Sequence, residues 1–139
     1  MSDSLSIQIR PAGEPDLDSL AVFIEPFVAA QKLLPRTENE LRELIEHGFV
    51  AESENRIVGF ATLDVYSRKL AEVRSLAVED AFRGAGLGRQ LVAHCVERAR
   101  QLDVLEVMAI TSAEQFFEQC GFHFTLPGEK KALFISTRT

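Results

Sequence analysis

Three alternating glycines stand between two arginines in the stretch Arg83-Gly84-Ala85-Gly86-Leu87-Gly88-Arg89. Glycine lets the backbone curl so that successive N–H groups point into one concavity. The two guanidinium groups add full positive charge and paired donors that suit a phosphate. These residue types at this spacing therefore predict a site that binds a phosphate or a similar anion.

The segments on either side of these glycines are the elements that would position such a site. Residues 73–78 have the composition of a strand, and residues 91–99 have that of a helix. The N-terminus of this helix would place partial positive charge beside the glycines. The apolar run 104–110 predicts a parallel neighbour for the first strand, joined to it by a right-handed crossover. A ligand of the glycines would then lie at the carboxyl ends of both strands.

Apolar periodicity in the rest of the chain predicts an α+β fold, a mixed and mostly antiparallel sheet with helices on both faces. Strands are expected over residues 6–10, 49–53, 56–63, 70–78, 104–110, 122–124 and 132–136. Helices are expected over residues 17–28, from a capping box at 37–40, over 87–102 and over 114–119. Pro26 predicts a kink or break in the first helix near Glu25.

Composition limits the classes of protein to which the chain can belong. Its 139 residues are 46% hydrophobic and carry a net charge of -6, so we expect one domain over 1–139. The acidic balance argues against a nucleic-acid partner, and no apolar run approaches the roughly 18 residues of a membrane span. Residues 1–6 lack the pattern of a signal peptide. Cys95 and Cys120 form no metal-ligand pattern, which favours free thiols in the cytoplasm.

Residues 76–92, LAVEDAFRGAGLGRQLV, closely resemble the acetyl-CoA-binding motif of the GNAT superfamily of N-acetyltransferases. The core of that motif, Arg/Gln-x-x-Gly-x-Gly/Ala, is matched by Arg83, Gly86 and Gly88. Residues 116–122, FFEQCGF, resemble a second family element, an aromatic helix that ends in Gly-Phe after the fifth strand. The resemblance covers nearly the whole chain and implies the GNAT (acyl-CoA N-acyltransferase) fold. A Walker motif is absent, and the glycine spacing does not match a dinucleotide-binding fingerprint.

The resemblance also implies acetyl-CoA as the acetyl donor. In this family the amides of the glycine loop bind the pyrophosphate, and the fourth strand offers main-chain hydrogen bonds to the pantetheine arm. The cofactor-binding residues implied in this sequence are Leu76, Ala77, Val78, Arg83, Gly84, Ala85, Gly86, Leu87, Gly88 and Arg89. Side chains at the three glycines of the loop would obstruct a phosphate that lies against the main chain.

A narrower resemblance concerns the acceptor of the acetyl group. Residues 33–37, residues 72–78 and the Phe116-Phe117 helix are similar to the acetyltransferase domain of N-acetylglutamate synthases and their short stand-alone relatives. Those enzymes acetylate the α-amine of an amino acid. Such synthases tend to carry an arginine for the substrate carboxylate after the fifth strand, whereas residues 110–114, ITSAE, contain none. An acceptor other than glutamate is therefore expected.

Acetyl transfer to an amine requires a base, because an ammonium group has no free electron pair. Glu72 is the candidate, since on an extended strand Glu72, Arg74 and Leu76 would share one face. The alternative is a cross-strand ion pair of Glu72 with Arg74 or another neighbour. A backbone N–H near Leu76 or Ala77 is the candidate for polarising the thioester carbonyl.

The leaving thiolate in GNAT enzymes often receives its proton from a tyrosine four residues before the glycine of Gly-Phe. In this chain the position holds Phe117, so that route is closed. Tyr66 and Cys120 are weaker alternatives, and water can serve as well. The three histidines are scattered through the sequence, and no metal site is expected. Four phenylalanines are expected in the core, at 116, 117, 122 and 124.

Arg36, Arg74 and Lys32 are the candidates for binding a carboxylate of the acceptor, although each also fits a solvated surface charge. The sequence thus predicts an N-acetyltransferase that moves acetyl from acetyl-CoA to a primary amine of an amino acid or small metabolite, directly in a ternary complex. One alternative is an enzyme of the same fold that acts on a protein or peptide amine. Another is a non-catalytic acyl-CoA-binding sensor or subunit. A homodimer is left open.

Overall fold

The computed structural model describes residues 6–138 as a five-stranded sheet with helices on both faces. The strands are β1 (Ile7–Pro11), β2 (Gly48–Ser53), β3 (Arg56–Val65), β4 (Leu70–Val78) and β5 (Glu106–Met108). The helices are α1 (Leu17–Ala29), α2 (Glu38–Leu44), α3 (Leu87–Gln101) and α4 (Glu114–Gln119). Short 3-10 turns precede α1 at 14–16, follow α2 at 45–47 and follow β4 at 80–82.

The first four strands pair antiparallel in chain order, which agrees with the mostly antiparallel sheet that the sequence predicts. The turn between β2 and β3 consists of Glu54 and Asn55, which have φ values of 50° and 62°. Two successive positive φ values match the right-handed twist of a hairpin and allow a two-residue turn. The capping box that begins α2 is also confirmed, since the Glu40 amide donates to Thr37 Oγ1 at 3.2 Å.

The last strand pairs in parallel with β4, and α3 forms the connection between them. This confirms the predicted crossover. The strand itself is shorter than expected, because β5 covers only three residues of the predicted run 104–110. It pairs with β4 from Leu70 to Glu72 and not beyond. The carboxyl two-thirds of β4 therefore has no strand on that side within residues 6–138.

Each face of the sheet has its own hydrophobic cluster. On one face, Leu91 and Cys95 of α3 and Phe117 of α4 pack against Ala61 and Leu63 of β3. On the other face, residues of α1 and α2 pack against Val50, Ile57 and Phe60. The α+β architecture with helices on both faces is thereby confirmed. Cys95 and Cys120 are both free.

The first helix continues through Pro26 to Ala29, so the predicted break near Glu25 is wrong. Proline removes only one helical hydrogen bond, and at this position the helix ends within a turn. Ala30 N–H still donates to the Pro26 carbonyl at 3.0 Å. Within the described part of the chain, no helix combines the length and apolar character that crossing a membrane requires.

The two strands predicted after α4, at 122–124 and 132–136, are wrong: residues 122–138 contain no strand. An apolar, β-branched run forms a strand only where another edge accepts its hydrogen bonds. In the structure Leu133, Phe134 and Ile135 are 92%, 77% and 88% exposed. Phe124 is also 61% exposed, so its predicted place in the core is wrong, whereas Phe116, Phe117 and Phe122 do pack on the α3 side.

Candidate active site

The glycine-rich segment connects β4 to α3, and Gly86 occupies the N-cap position of α3. Gly84 and Gly86 have φ values of +84° and +79°. Side chains strain this left-handed conformation, because a Cβ atom approaches the neighbouring carbonyl oxygen. The sequence-based prediction of a glycine turn that opens directly into a helix is confirmed.

The first turn of α3 is open to an anion. It contains no acidic residue, and no side chain caps it. A Cβ atom at Gly84 or Gly86 would meet no other atom within 4 Å, so space remains against the backbone. At Gly88 a Cβ atom would lie 3.4 Å from Cζ of Phe116, so this glycine also serves the approach of α4. First-turn N–H groups with the helix dipole behind them fit a phosphate group well.

The two arginines of the loop lie on different sides of it. Arg83 forms an ion pair with Asp80 at 3.2 Å and lines a surface cavity of about 710 Å³ beside α1. Arg89 lines a smaller cleft of about 190 Å³ between α3 and α4, together with Arg100 and Cys120. The loop is thus flanked by positive charge on both sides, although the chain as a whole is acidic.

One edge of β4 lacks a neighbouring strand over most of its length. Because β5 pairs only with residues 70–72, the main-chain groups of residues 73–78 on that side meet no strand among the described residues. Leu76, Ala77 and Val78 lie in this part. Unpaired main-chain groups along an open edge can bind an extended ligand by adding hydrogen bonds in the manner of a strand.

A β-bulge at Ser75 divides β4 into two parts. Thr62 opposes Arg74 and Phe60 opposes Ala77, so one residue of β3 faces two residues of β4, Ser75 and Leu76. Ser75 has a φ value of +57°. The extra residue reverses the alternation of side chains, as bulges do.

The bulge corrects one sequence-based expectation. Glu72 and Arg74 do share a face, but Leu76 packs in the cluster on the α3 side together with Ala71 and Val73. The predicted common face of all three residues is therefore wrong, because regular alternation stops at Ser75. Leu76 therefore lies on the α3 side of the sheet, and Glu72 and Arg74 lie on the α1 and α2 side.

Four polar side chains form a cluster on that side of the β3–β4 hairpin. Asp64 and Glu72 are directly opposed across the two strands, which places two carboxylates side by side. Arg74 Nη1 donates to Asp64 Oδ2 at 3.2 Å. The hydroxyl of Tyr66 donates to Glu72 Oε1. The sequence also allowed an ion pair between Glu72 and Arg74. The structure does not form it, because the Arg74 guanidinium donates to Asp64 instead.

The two carboxylates have different surroundings. Glu72 is only 8% exposed, and its recorded partner is a neutral phenol rather than a cation. Burial and the hydrogen bond to Glu72 raise the pKa of Tyr66 to about 12, so the phenol keeps its proton at neutral pH. Burial opposes the charge of Arg74, but the bond to Asp64 and the nearby carboxylates outweigh it and raise the pKa of the guanidinium. Among the described residues, Glu72 is thus the carboxylate of this pair that forms no ion pair, which leaves it for general-base chemistry.

Within the described residues, neither Arg36 nor Lys32 takes part in the hydrogen bonds of this cluster. Arg36 is half-buried in the segment between α1 and α2, and the recorded side-chain hydrogen bonds of residues 6–138 do not join it to Arg74. Lys32 is exposed and lines the 710 Å³ cavity with Arg83. The structure therefore brings Arg74 close to Glu72, places Lys32 near the glycine loop, and does not unite the three predicted carboxylate ligands in one place.

Other candidate groups contribute less. Phe117 is buried, as expected of a core side chain. Burial raises the pKa of the Cys120 thiol, and the charge of Arg89 offsets this only in part, so the group is a neutral thiol at neutral pH. The described residues contain no group of three or more histidine, cysteine or acidic side chains arranged to hold a metal ion.

Two residues of the site were missed from the sequence, Asp64 and Ser75. Asp64 faces Glu72 through a turn centred on Arg68, whereas a two-residue turn at Ser67 and Arg68 would place it opposite Ala71, so finding Asp64 required the exact register. Ser75 gave no comparable signal, since serine is neither typical of positive φ nor depleted in strands.

Comparisons with known proteins agree with this geometry. The profile described as "Acetyltransferase (GNAT) family" matches residues 15–122. An uncharacterized N-acetyltransferase of Chlorobaculum tepidum is 32% identical over 114 residues, which cover 82% of this chain and 74% of that protein. An amino-acid acetyltransferase of Mycobacterium tuberculosis is 29% identical over 117 residues, covering 82% of this chain and 67% of the relative.

Solved structures agree as well. A Mycobacterium tuberculosis protein in complex with CoA has a TM-score of 0.77 and 27% identity, over 90% of this chain and 76% of that one. N-acetylglutamate synthase from Neisseria gonorrhoeae, complexed with coenzyme A and N-acetyl-glutamate, has a TM-score of 0.74 and 26% identity. That match covers 85% of this chain but only 28% of the synthase.

Proposed function

Because the chain belongs to the Acetyltransferase (GNAT) family and is an acetyl-CoA-dependent acetyltransferase, we propose that its acceptor is the primary amine of an amino acid or a related small metabolite. The proposal rests on one observation above others. Glu72 and Arg74 lie two residues apart on one face of β4, next to the open edge of that strand. A carboxylate and a guanidinium at this spacing match the ammonium and carboxylate groups of an amino acid.

The donor would be held mainly by backbone. When bound, acetyl-CoA supplies an acetyl group activated as a thioester. The N–H groups of the first turn of α3 would bind its pyrophosphate, flanked by Arg83 and Arg89. The main chain of Leu76, Ala77 and Val78 would hydrogen-bond its pantetheine arm along the open edge of β4.

Glu72 would act as the base for the acceptor amine. Its carboxylate removes a proton from the ammonium, directly or through one water molecule, and the neutral amine then attacks the carbonyl carbon. The acetyl group passes straight to nitrogen, with no bond to the enzyme. A backbone N–H of β4 near the bulge would stabilise the negative charge that develops on the carbonyl oxygen.

The leaving sulfur would take its proton from water. The position that often holds a tyrosine in this family holds the buried Phe117. Tyr66 keeps its proton at neutral pH and donates to Glu72, which directs the phenol to the base rather than to the sulfur. A thiolate is a good leaving group even without complete protonation.

Arg74 would hold the carboxylate of the acceptor. Among the described residues, the guanidinium donates to one carboxylate, that of Asp64, and does so through Nη1. Its other donors remain for a ligand on the same face. Amino-acid acetyltransferases among the relatives and N-acetyl-glutamate in a structural neighbour support this class of acceptor. Two free cysteines suit a reducing compartment, and we place the enzyme in the cytoplasm.

A peptide amine is the second candidate. The observation that favours it is the exposed segment around Lys32 and Leu34, which borders a broad cavity on the α1 side. A groove of that kind accommodates an extended chain more readily than a single amino acid. A non-catalytic sensor of acyl-CoA remains the alternative of another class, since Phe117 replaces the usual proton donor.

The test is a panel of amines incubated with acetyl-CoA, with release of free thiol as the readout. We expect turnover with one or more free amino acids and none with the matching N-acetyl amino acids, which lack a free amine. Turnover with peptides alone would contradict the amino-acid proposal. Saturable CoA binding without turnover on any amine would instead identify a sensor.

A further inference from the structure

Tyr66 lies directly after β3 and is held there by the hairpin turn. Its backbone N–H donates to the Leu70 carbonyl at 3.1 Å, which fixes the position of its Cα atom relative to β4. The side chain reaches diagonally across the two strands, and its hydroxyl donates to Glu72 Oε1. The residue as a whole is 50% exposed. This contact occupies one carboxylate oxygen and leaves Oε2 for another partner.

The cluster contains a second diagonal contact with the same offset. Arg74 crosses to Asp64 as Tyr66 crosses to Glu72, so each of two opposed carboxylates receives one donor. The two donors differ in charge. A guanidinium brings a positive charge to its carboxylate, whereas a phenol orients its carboxylate without supplying a cation. Only the second arrangement fixes a carboxylate in place without pairing it with a positive charge.

From this difference we propose that Tyr66 is a positioning residue: its hydroxyl fixes the rotamer of Glu72 through Oε1, so that Oε2 faces the acceptor amine. The inference rests on the proposed role of Glu72 as the base. It assigns to Tyr66 a function that is distinct from donating a proton to the leaving sulfur.

The electrostatic surroundings of the pair come from three strands. From β3 the charged neighbour is Asp64, and from β4 it is Arg74; both affect the titration of Tyr66. On the other side Met108 of β5 opposes Glu72, and the exposed Glu106 opposes Leu70. Burial and the contact with Glu72 raise the pKa of Tyr66 to about 12. The phenol therefore remains a hydrogen-bond donor throughout the pH range in which the enzyme would work.

Tyr66→Phe removes the hydroxyl and retains the ring. We expect kcat to fall roughly tenfold while the KM for acetyl-CoA is unchanged, because a hydrogen bond to a charged group is lost at the base and nowhere else. The readout is the split between kcat and the KM for acetyl-CoA, which a purely structural tyrosine would not separate. Wild-type kcat in Tyr66→Phe would overturn the proposal.

A second measurement does not depend on turnover. Tyr66 is the single tyrosine and the sequence has no tryptophan, so the near-ultraviolet absorbance of tyrosinate reports this side chain alone. Titrating the folded protein upward in pH, we expect Tyr66 to ionise at lower pH in Glu72→Gln than in wild type. Asp64→Asn is the matched control, because it removes a nearby negative charge and leaves the hydrogen bond, and it should give a smaller shift.

The two measurements distinguish failure of the proposed function from failure of the positioning role of Tyr66. If no amine is acetylated but Glu72→Gln still lowers the ionisation pH of Tyr66, the proposed function fails and the contact stands. If Glu72→Gln and Asp64→Asn shift Tyr66 equally, the hydrogen bond is refuted, and with it the positioning role. Circular dichroism recorded along the titration confirms that the fold persists over the pH range that is compared.

Discussion

The carboxyl half of β4 presents main-chain groups, whereas its amino half presents side chains. After the Ser75 bulge the strand leads into Gly84 and Gly86, where left-handed glycines and a helix N-terminus leave backbone N–H groups open. Before the bulge, Arg74 bonds to Asp64 of β3, and Glu72 bonds to Tyr66 directly after β3. In the proposed function, the carboxyl half would bind the acetyl donor, a constant ligand, with main-chain atoms that every residue has. The amino half would bind the acceptor with atoms that depend on side-chain identity, as discrimination among acceptors requires.

The comparison predicts that substitutions act on one substrate and not on the other. Changes in the glycine loop should raise the KM for acetyl-CoA alone. Changes in the side-chain cluster should alter turnover or the KM for the acceptor alone. A residue that altered both equally would show that the two halves of β4 are not separate.

The largest effect is expected at Glu72. Replacement by glutamine removes the base and keeps the size of the side chain, so kcat should fall by about 100-fold or more, within the range typical of general-base catalysis. Binding of acetyl-CoA, measured by calorimetry, should not change. Glu79→Gln is the matched control directly after the same strand, since Glu79 pairs with Arg56 at a largely exposed site, where such pairs contribute at most about 1 kcal/mol. Full activity of Glu72→Gln would remove it from the mechanism.

A smaller effect is expected at the backbone end. Gly86→Val forces a Cβ-bearing residue into a left-handed conformation at a cost of about 1–2 kcal/mol. That cost corresponds to roughly 5- to 30-fold weaker binding of acetyl-CoA if the loop relaxes to avoid the strain. Gly128→Val serves as control, because Gly128 has a φ value of +90° and equally free space but lies outside the loop. Equal loss of donor affinity in both variants would contradict a specific role of the loop.

Arg74→Gln should have a more limited effect, confined to the acceptor. We expect the acceptor KM to rise about tenfold, in line with the loss of one charge-assisted interaction, with the KM for acetyl-CoA unchanged. The measurement is a pair of saturation curves, one for each substrate. An equal rise in the KM for acetyl-CoA would show that Arg74 does not act on the acceptor alone.

The smallest effect on activity is expected for the ion pair of Asp16 with Arg10, which lies outside both halves of β4. Asp16 is buried and accepts hydrogen bonds from Arg10 at 2.7 and 2.9 Å and from the Gly13 amide. Asp16→Ala should lower the free energy of unfolding by about 2 kcal/mol and leave both KM values unchanged. The contact with Arg10 lowers the pKa of Asp16, so its contribution is complete above the unfolded pKa, about 3.9, and is lost as pH falls through the folded value.

Denaturant unfolding at neutral and acidic pH measures this. The difference between wild type and Asp16→Ala should shrink as the solution becomes acidic. A difference that is constant with pH would show that packing, rather than the charge of Asp16, accounts for the loss.

The sequence predicted the backbone end more fully than the side-chain end. The glycine loop is a local pattern in which conformation and chemistry lie within seven residues. The cluster depends on which residue of β3 faces which residue of β4. Glu72 and Arg74 were identified on one face, but Asp64 was missed, and Leu76 was placed on the wrong face because nothing in the sequence predicts the bulge.

The same distinction explains the outcome at the chain's carboxyl end. Residues 132–136 have the composition of a strand, yet they form none, because strand formation needs a partner edge as well as β propensity. The two-residue turn at Glu54-Asn55 and the capping box at Thr37 are, by contrast, complete within a few residues. Apart from the break at Pro26, local devices were predicted correctly; the order of strand pairing was predicted too, whereas the exact register, the bulge and the fate of the carboxyl-terminal segments were not.

The Ser75 bulge has a consequence for how acceptor preference can change. Asp64, Tyr66, Glu72 and Arg74 all lie within one hairpin of eleven residues, on the far side of the bulge from the donor loop. Under the proposed assignment of roles, exchanging residues 64–74 would replace the acceptor-binding side chains together and leave the donor-binding residues unchanged. Under the same assignment, selection for a new amine could proceed by short replacements in this one segment, with recognition of the acetyl donor preserved.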